Sequence, residues 1–304
     1  MTQKSNTYSA KDEATSFLAQ RTVWDRTRIL LKKSPITARF GMIVIALYVI
    51  VAVFAPWIAP YGEAQVFPMP YAPWGGEHMF GTDQIGRDIL SRMIYGARNT
   101  VGIAFATTML AFLIGASLGL AAAINRSWID QLISRSVDVL MAIPSLIFAL
   151  VLLSIFGSSV INLIIIIAIL DSTRVFRLTR AVAVNVVVMD YVEAAKLRGE
   201  GLGWIMRREI LPNIMPPLVA EFGLRFCFVF LTIAALSFLG VGIQPPTADW
   251  GSMVRENASL IQFAQYDLKA GLTPLLPAAA IALLTVAVNF VVDWFLHHTS
   301  GIKD

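Results

Sequence analysis

Long stretches without charged residues constrain this chain more than any other feature. Three of them, at 40–62, 99–125 and 270–292, are each long enough to cross a hydrocarbon core of about 30 Å as one helix. A fourth runs from Val139 to Leu170, and its 32 residues would make a helix about 48 Å long, which exceeds one crossing. We therefore predict a break at the Gly-Ser-Ser sequence of 157–159. The chain is predicted to be an all-α, polytopic membrane protein.

The composition agrees with that class. With 57% hydrophobic residues, 14% charged residues and a mean hydropathy of +0.68, the chain is too apolar for a water-soluble domain of 304 residues. A formal charge of +4 would suggest nucleic acid as the partner of a soluble chain, but here the basic residues mostly flank apolar runs. We therefore expect a lipid bilayer and no nucleic acid as partner.

The basic residues also predict the topology. A fifth apolar run at 214–242 contains only Glu221 and Arg225 as charges, and the break at 157–159 brings the number of spans to six. With both termini inside, six spans leave 18 Lys and Arg residues on the inner side and five on the outer side. Five spans would put the seven basic residues of 174–208 outside. We predict six spans with both termini cytoplasmic.

The first outer segment, at 62–98, is predicted to end in a helix along the membrane surface. Thr82 or Asp83 is expected to cap that helix, because either side chain can accept a hydrogen bond from a free amide of the first turn. Arg87, Asp88 and Arg92 are expected to face water, and an interfacial role is favoured over substrate binding.

Several chemistries lack support in the sequence. The chain has no Gly-Lys dipeptide, so it lacks a Walker-type nucleotide site and cannot be its own ATPase. The adjacent His297 and His298 cannot both face one ion from a regular helix, so we predict no metal site. No Ser-His-Asp, Cys-His or paired-carboxylate arrangement stands out. We predict no catalytic, cofactor-binding or metal-binding residues, and therefore a protein that is not an enzyme.

A polar, basic loop at 182–215 is predicted to project into the cytoplasm. Its first helix, at 186–198, should end at Gly199, which adopts a left-handed cap without strain. A second short helix is expected at 202–210, and Pro212 marks the return to the membrane. A helix-turn-helix of this kind suits a soluble partner with a matching groove, although an ordinary connection between spans is the alternative.

The spacing within this loop resembles that of a known family. It is similar to the signature loop of the inner-membrane permease subunits of ATP-binding-cassette importers. In place of the usual isoleucine two positions before Leu-Pro stands Glu209, a variant that resembles the peptide and nickel branch. Segments 80–88 and 236–251 resemble the same branch, and more narrowly its C-type second permease. Seven residues carry the expected ATPase-coupling role: Glu193, Ala194, Ala195, Gly199, Ile210, Leu211 and Pro212.

This resemblance implies a type I importer permease fold, a location in the cell inner membrane and a set of partners. They are a sister permease in a heterodimer, two cytoplasmic ATPase subunits that bind ATP and Mg, and an extracytoplasmic solute-binding protein. The chain itself would bind no cofactor. The predicted organisation is a cytoplasmic tail at 1–38, a first span and outer segment at 39–97, a permease domain at 98–293 containing coupling loop 182–215, and a cytoplasmic tail at 294–304.

Four charges inside the predicted spans need a role. Glu221 and Arg225 stand four residues apart and can pair on one helix face, and Asp171 and Arg174 lie in the fourth span. They are either structural ion pairs or residues that line a pathway. An ion-gradient-driven secondary transporter or channel, with these charges as coupling groups, is the alternative function, although it leaves the inward loop unexplained. Alternative cargoes are nickel complexes, opines and small glycosides.

The second predicted span carries a set of small residues. Gly102, Gly115 and Gly119 are expected to let another helix approach closely.

Overall fold

Residues 34–124 and 128–299 are described by a computed structural model, so most of the predicted N-terminal tail lies outside the described residues. Every regular element in those two ranges is helical. Twelve α-helices follow one another there: α1 Ile36–Ile58, α2 Ile89–Gly96, α3 Gly102–Ile124, α4 Trp128–Ala142, α5 Ser145–Phe156, α6 Val160–Val187, α7 Asp190–Leu197, α8 Leu202–Ile205, α9 Leu211–Phe238, α10 Trp250–Asn257, α11 Leu268–Leu272 and α12 Leu275–Thr299. The all-α class is confirmed for the described residues.

Two π-helical turns join short helices to long ones. Ala97–Val101 connects α2 to α3, and Met206–Ile210 connects α8 to α9. In both places the helical path is continuous, so each short helix is a rigid extension of the long helix that follows it.

Four helical stretches in the described residues are long and apolar enough to cross a membrane. A bent pair of helices adds a fifth if it is one span. α6 has a sufficient length of 28 residues, but Asp171, Arg174 and Arg177 interrupt its apolar character. The four stretches are Ile36–Ile58, Ile89–Ile124, Leu202–Phe238 and Leu268–His298.

The long apolar run between α4 and α6 breaks twice. The predicted break at 157–159 is confirmed: Gly157 ends α5 with a φ of 88°, and the Ser159 side chain caps α6. A second break was not predicted, and there α4 and α5 meet at 91°. Pro144 lies at this bend and directly precedes the first residue of α5. Proline has no amide to donate and restricts the preceding residue to extended backbone, so α4 cannot continue through it. The segment from Val139 to the break at 157–159, predicted as one full span, therefore contains a bend that was not expected.

α3 and α6 form the closest helix pair, and glycine makes this possible. A Cβ atom at Gly115 would lie 2.5 Å from the carbonyl oxygen of Ser172, and one at Gly119 would lie 2.8 Å from Cβ of Thr179. The prediction of close packing is confirmed at both positions. It is wrong at Gly102, where a Cβ would meet nothing within 4 Å.

Candidate functional site

The inward loop consists of two short helices joined by a glycine turn. The amide of Gly199 donates to the Lys196 carbonyl at 2.9 Å, and the amide of Glu200 donates to the Ala195 carbonyl at 3.2 Å. These two bonds form a Schellman motif, which requires a left-handed residue after the helix. Gly199 has a φ of 81° and supplies that conformation. The first helix is shorter than predicted, because α6 ends at Val187 and α7 begins only at Asp190.

One side of the loop is fixed to the membrane helices. Val192 and Ala195 of α7 are fully buried, as is Ile210 in the π turn. These side chains join an apolar cluster with Leu120 of α3 and Leu218 of α9. Because the cluster includes residues from three long helices and from the loop, the loop and the inner ends of those helices form one packed body.

The opposite side of the loop is exposed and carries apolar side chains beside the charged Glu193, Lys196 and Arg198. Leu197 is 84% exposed and Leu202 is 51% exposed, and Tyr191 and Trp204 are also exposed. Ala194 is exposed on the same short helix. Apolar side chains at the exposed tip of a loop are typical of a surface that another protein covers. We call Tyr191, Ala194, Leu197, Leu202 and Trp204 the loop tip.

The seven predicted coupling residues divide between these two sides. Glu193 and Ala194 are exposed, Ala195 and Ile210 are buried, and Gly199 forms the turn. The remaining two, Leu211 and Pro212, lie at the start of α9. The prediction did not include Leu197, Leu202 and Trp204. These residues lie on two different helices, so they can contribute to one surface only after the turn at 199–201 has formed.

Three of the four predicted membrane charges meet between α6 and α9. Nε of Arg225 lies 2.7 Å from Oε1 of Glu221, and its Nη1 lies 3.6 Å from Oδ1 of Asp171. Arg225 also lies over the ring of Phe228 at 4.7 Å. The predicted pair on α9 therefore exists, with Asp171 as a second acceptor. Arg174 is exposed and makes no direct ion pair with this group, although it lines the same cavity as Asp171.

A second charge cluster lies at the outer end and corrects a prediction. Arg87 and Arg92, expected to face water, are 4% and 1% exposed. Arg87 donates to Asp83 at 2.6 Å and to Glu256 of α10 at 2.8 Å. Arg92 donates to the same Glu256 oxygen at 3.3 Å. The guanidinium groups can be buried because carboxylates from two distant segments compensate their charge.

Asp88 is buried as well, although it too was expected to face water. It caps α2 by accepting a hydrogen bond from the Ser91 amide at 2.7 Å, so the predicted cap at Thr82 or Asp83 is wrong. Its other oxygen lies 2.9 Å from Nδ1 of His78. The outer segment is thus tied to the start of α2 instead of lying loosely on the membrane.

α10 is fixed by a buried aspartate and a tryptophan. Asp249 caps the helix by accepting from the Ser252 amide at 2.7 Å, and Thr100 donates to it at 3.1 Å. Burial raises the pKa of the Asp249 carboxyl above its ordinary value, and hydrogen bonds from Ser252, Ser237 and Thr100 oppose that shift. Trp250 donates to the Met93 carbonyl at 3.0 Å. The outer ends of α2, α9 and α10 therefore form one unit.

The described residues contain no cluster of side chains that could bind a metal ion. Among residues 34–124 and 128–299, no three His, Cys, Asp or Glu side chains are placed to hold an ion. His297 instead contacts the Asp293 carbonyl at 2.7 Å, and His298 stacks on Trp294.

The apolar helices, the packed loop and the buried charge cluster define a helical membrane protein. Residues 111–300 match the family described as binding-protein-dependent transport system inner membrane component, and residues 22–73 match the N-terminal TM domain of oligopeptide transport permease C. The chain belongs to this family of inner-membrane permease subunits. The resemblance to the C-type subunit of ATP-binding-cassette importers is thereby confirmed.

Individual relatives cover most of the chain. The di/tripeptide transport system permease protein DppC of Pseudomonas aeruginosa is 39% identical over 83% of this chain and 84% of its own length. The dipeptide transport system permease protein DppC of Escherichia coli is 38% identical over 83% and 85%. That of Alkalihalophilus pseudofirmus is 34% identical over 96% and 93%. A crystal structure of an amino acid ABC transporter with histidines aligns with a TM-score of 0.49 at 22% identity, over 68% of this chain and 94% of that chain.

Proposed function

We propose that this chain forms half of the translocation pathway of a peptide importer, beside a sister permease. Support for the peptide cargo comes from the names of the relatives, each of which transports dipeptides or tripeptides and aligns over at least 83% of this chain. Nickel complexes, opines and small glycosides are the alternative cargoes of the same branch. In this proposal an extracytoplasmic solute-binding protein delivers the cargo to the outer end.

The proposed topology has six spans with both termini in the cytoplasm. The bent pair of α4 and α5 would form the third span and α6 the fourth. α6 would then carry Asp171 within the membrane, where Arg225 lies 3.6 Å away and compensates part of its charge. The distribution of Lys and Arg supports the same orientation, since it puts loop 182–215 inside.

The proposed motor consists of two ATPase subunits that bind ATP and Mg and seat on the loop tip. The observation that carries this role is the contrast between the two sides of the loop. Leu197 is 84% exposed although it is apolar, while Val192 and Ala195, on the same helix, are fully buried against the membrane helices. If an ATPase subunit covers the loop tip, the buried side of the loop can pass its movement on to the membrane helices. A flexible loop would not pass the movement on.

Movement would pass from the loop to the spans along a continuous path. α8, the π turn and α9 form one helical stretch from Leu202 to Phe238. The outer end of α9 packs against α10, whose Glu256 holds the arginines of the outer segment. A displacement at the loop tip would therefore reach the outer opening without crossing a flexible joint.

A pair of glycine substitutions tests the coupling role. Gly199→Val places a β-branched residue at a φ of 81°, which costs about 1–3 kcal/mol, although a Cβ there meets nothing within 4 Å. Gly201→Val is the matched control, because Gly201 is equally open and has an ordinary φ of −70°. We expect only Gly199→Val to reduce co-purification of the ATPase subunits and ATP-driven peptide uptake. Equal behaviour of the two variants would contradict the coupling role.

The alternative of a secondary transporter has its own test. The complete transporter, reconstituted in liposomes with its binding protein, should take up peptide only while ATP is hydrolysed. Uptake that continues without ATP while an ion gradient is maintained would contradict the importer and favour coupling through the membrane charges.

A further inference from the structure

A partly polar cavity opens to the surface of the helix bundle, apart from the loop and the outer cluster. It has a volume of about 170 Å³ between α5, α6 and α9, and its lining includes Ser145, Asp171, Arg174 and Thr232. A second cavity of about 300 Å³ shares Ser145 and Arg174 with it. Since the two adjoin, a molecule larger than a few waters can enter this region.

The carboxylate of this cavity lacks a full complement of partners. Asp171 is only 9% exposed, and its Oδ2 has no hydrogen bond in the described part of the chain. Its Oδ1 shares Arg225 with Glu221, which lies closer to that arginine. A buried carboxylate that shares its nearest cation and has one oxygen without a hydrogen bond favours a further positive group.

Arg174 is the positively charged residue of this cavity, and within the described ranges it too lacks a hydrogen-bond partner. Arg174 lines both cavities, and it makes no hydrogen bond or ion pair in the described residues. The next two arginines of the same helix are paired, Arg177 with Asp138 at 2.8 Å and Arg180 with Asp130 at 2.6 Å. The charge of Arg174 reaches Asp171 only through space, so its N–H groups remain available to a negative group.

We propose that this cavity is a subsite for the main chain of a short zwitterionic peptide, with its ammonium group at Asp171 and its carboxylate at Arg174. This subsite rests on the proposed function and names the part of the cargo that the permease itself recognises. Residues three apart on a helix have Cβ atoms about 5–6 Å apart, and an extended dipeptide spans about 7 Å, so the long arginine side chain covers the difference. A guanidinium binds a carboxylate through two parallel hydrogen bonds.

The decisive experiment compares a dipeptide with its C-terminal amide. Both are offered, each bound to the same solute-binding protein, to the complete transporter in liposomes, and the ratio of their ATP-driven uptake is measured. Arg174→Gln should lower the acid-to-amide ratio by about tenfold, since a charge-assisted hydrogen bond contributes at least that factor. The solute-binding protein is the same for all permease variants. Its own preference for the acid or the amide therefore cancels when the uptake ratios of two variants are compared.

Arg177→Gln is the matched control, because Arg177 lies one turn further along α6 and lines neither cavity. Its acid-to-amide ratio should equal that of the wild type. Asp171→Asn provides the second arm: it should lower the ratio of uptake of the free dipeptide to that of the N-acetylated dipeptide.

The outcomes separate the subsite from the function. Peptide uptake with the wild-type ratio in Arg174→Gln overturns the subsite and leaves the importer intact. The same fall in ratio with Arg177→Gln also overturns it, because a general charge effect would then be responsible. If the wild type takes up neither peptide with ATP, the proposed function fails and the subsite with it.

Discussion

Replacing Gly115 by alanine should weaken the contact between α3 and α6. Two effects of opposite sign act at this position. Alanine is favoured over glycine in a helix interior by about 0.8–1.0 kcal/mol. The new Cβ, however, would lie 2.5 Å from the Ser172 carbonyl oxygen, whereas carbon and oxygen in weak contact lie about 3.3–3.6 Å apart. The two helices must therefore separate by about 0.8 Å.

The size of the effect follows from a matched position on the same helix. Overpacking of a well-packed contact costs about 1–3 kcal/mol. At Gly102 a Cβ meets nothing within 4 Å, and φ is helical at −64°, so Gly102→Ala gains helix propensity alone. The difference between the two variants therefore equals the overpacking cost, about 1–3 kcal/mol.

Thermal unfolding of the purified transporter in nanodiscs measures this difference. One kcal/mol shifts the midpoint of a domain of 150–250 residues by about 2–4 °C, so Gly115→Ala should unfold several degrees below Gly102→Ala. Gly102→Ala should equal or exceed the wild type. Equal midpoints for the two variants would refute the reasoning, because the contact would then be loose enough to accept a methyl group.

Two further predictions concern the outer end. Glu256→Gln leaves Arg87 and Arg92 with less compensation for their buried charges, so it should cost about 3 kcal/mol and lower the thermal midpoint, whereas the exposed control Glu77→Gln should not. The raised pKa of Asp249 means that the folded state binds the proton more tightly, so this group's contribution to stability grows as pH falls through the folded pKa toward about 3.9. Asp249→Asn keeps a capping side chain and should flatten the profile of thermal midpoint between pH 4 and 7; an unchanged slope would contradict the assignment.

The sequence predicted the features that depend on local composition. Charge-free runs gave the approximate positions of the long helices, because length and apolarity alone decide whether a helix can span lipid. Gly157 and Gly199 were found at turns because glycine adopts the positive φ that ends a helix more readily than any other residue. The Glu221 and Arg225 pair was found because four residues place two side chains on one helix face.

Features that depend on distant segments could not be predicted in this way. Arg87 is buried because Glu256, which is 169 residues away along the chain, reaches it after folding. No pattern near Arg87 reveals that partner, so exposure to water was the natural expectation. The loop tip was missed for the same reason, since Leu197 and Trp204 come together only across the glycine turn. The 91° bend at Pro144 was not predicted, because this proline lies within a long apolar run that was interpreted as a span.

The π turn at Met206–Ile210 determines the direction in which the loop tip points. A π turn accommodates one residue more than an α-helical turn, so it is equivalent to a single-residue insertion in a continuous helix. Each residue of an α-helix rotates the chain by about 100°. If the same residues formed a regular α-helix instead, α8 would remain helical and equally apolar, yet it would be turned by about a quarter of a circle relative to the membrane helices. The angular phase of the loop thus depends on the hydrogen-bond pattern of this segment and not on its composition.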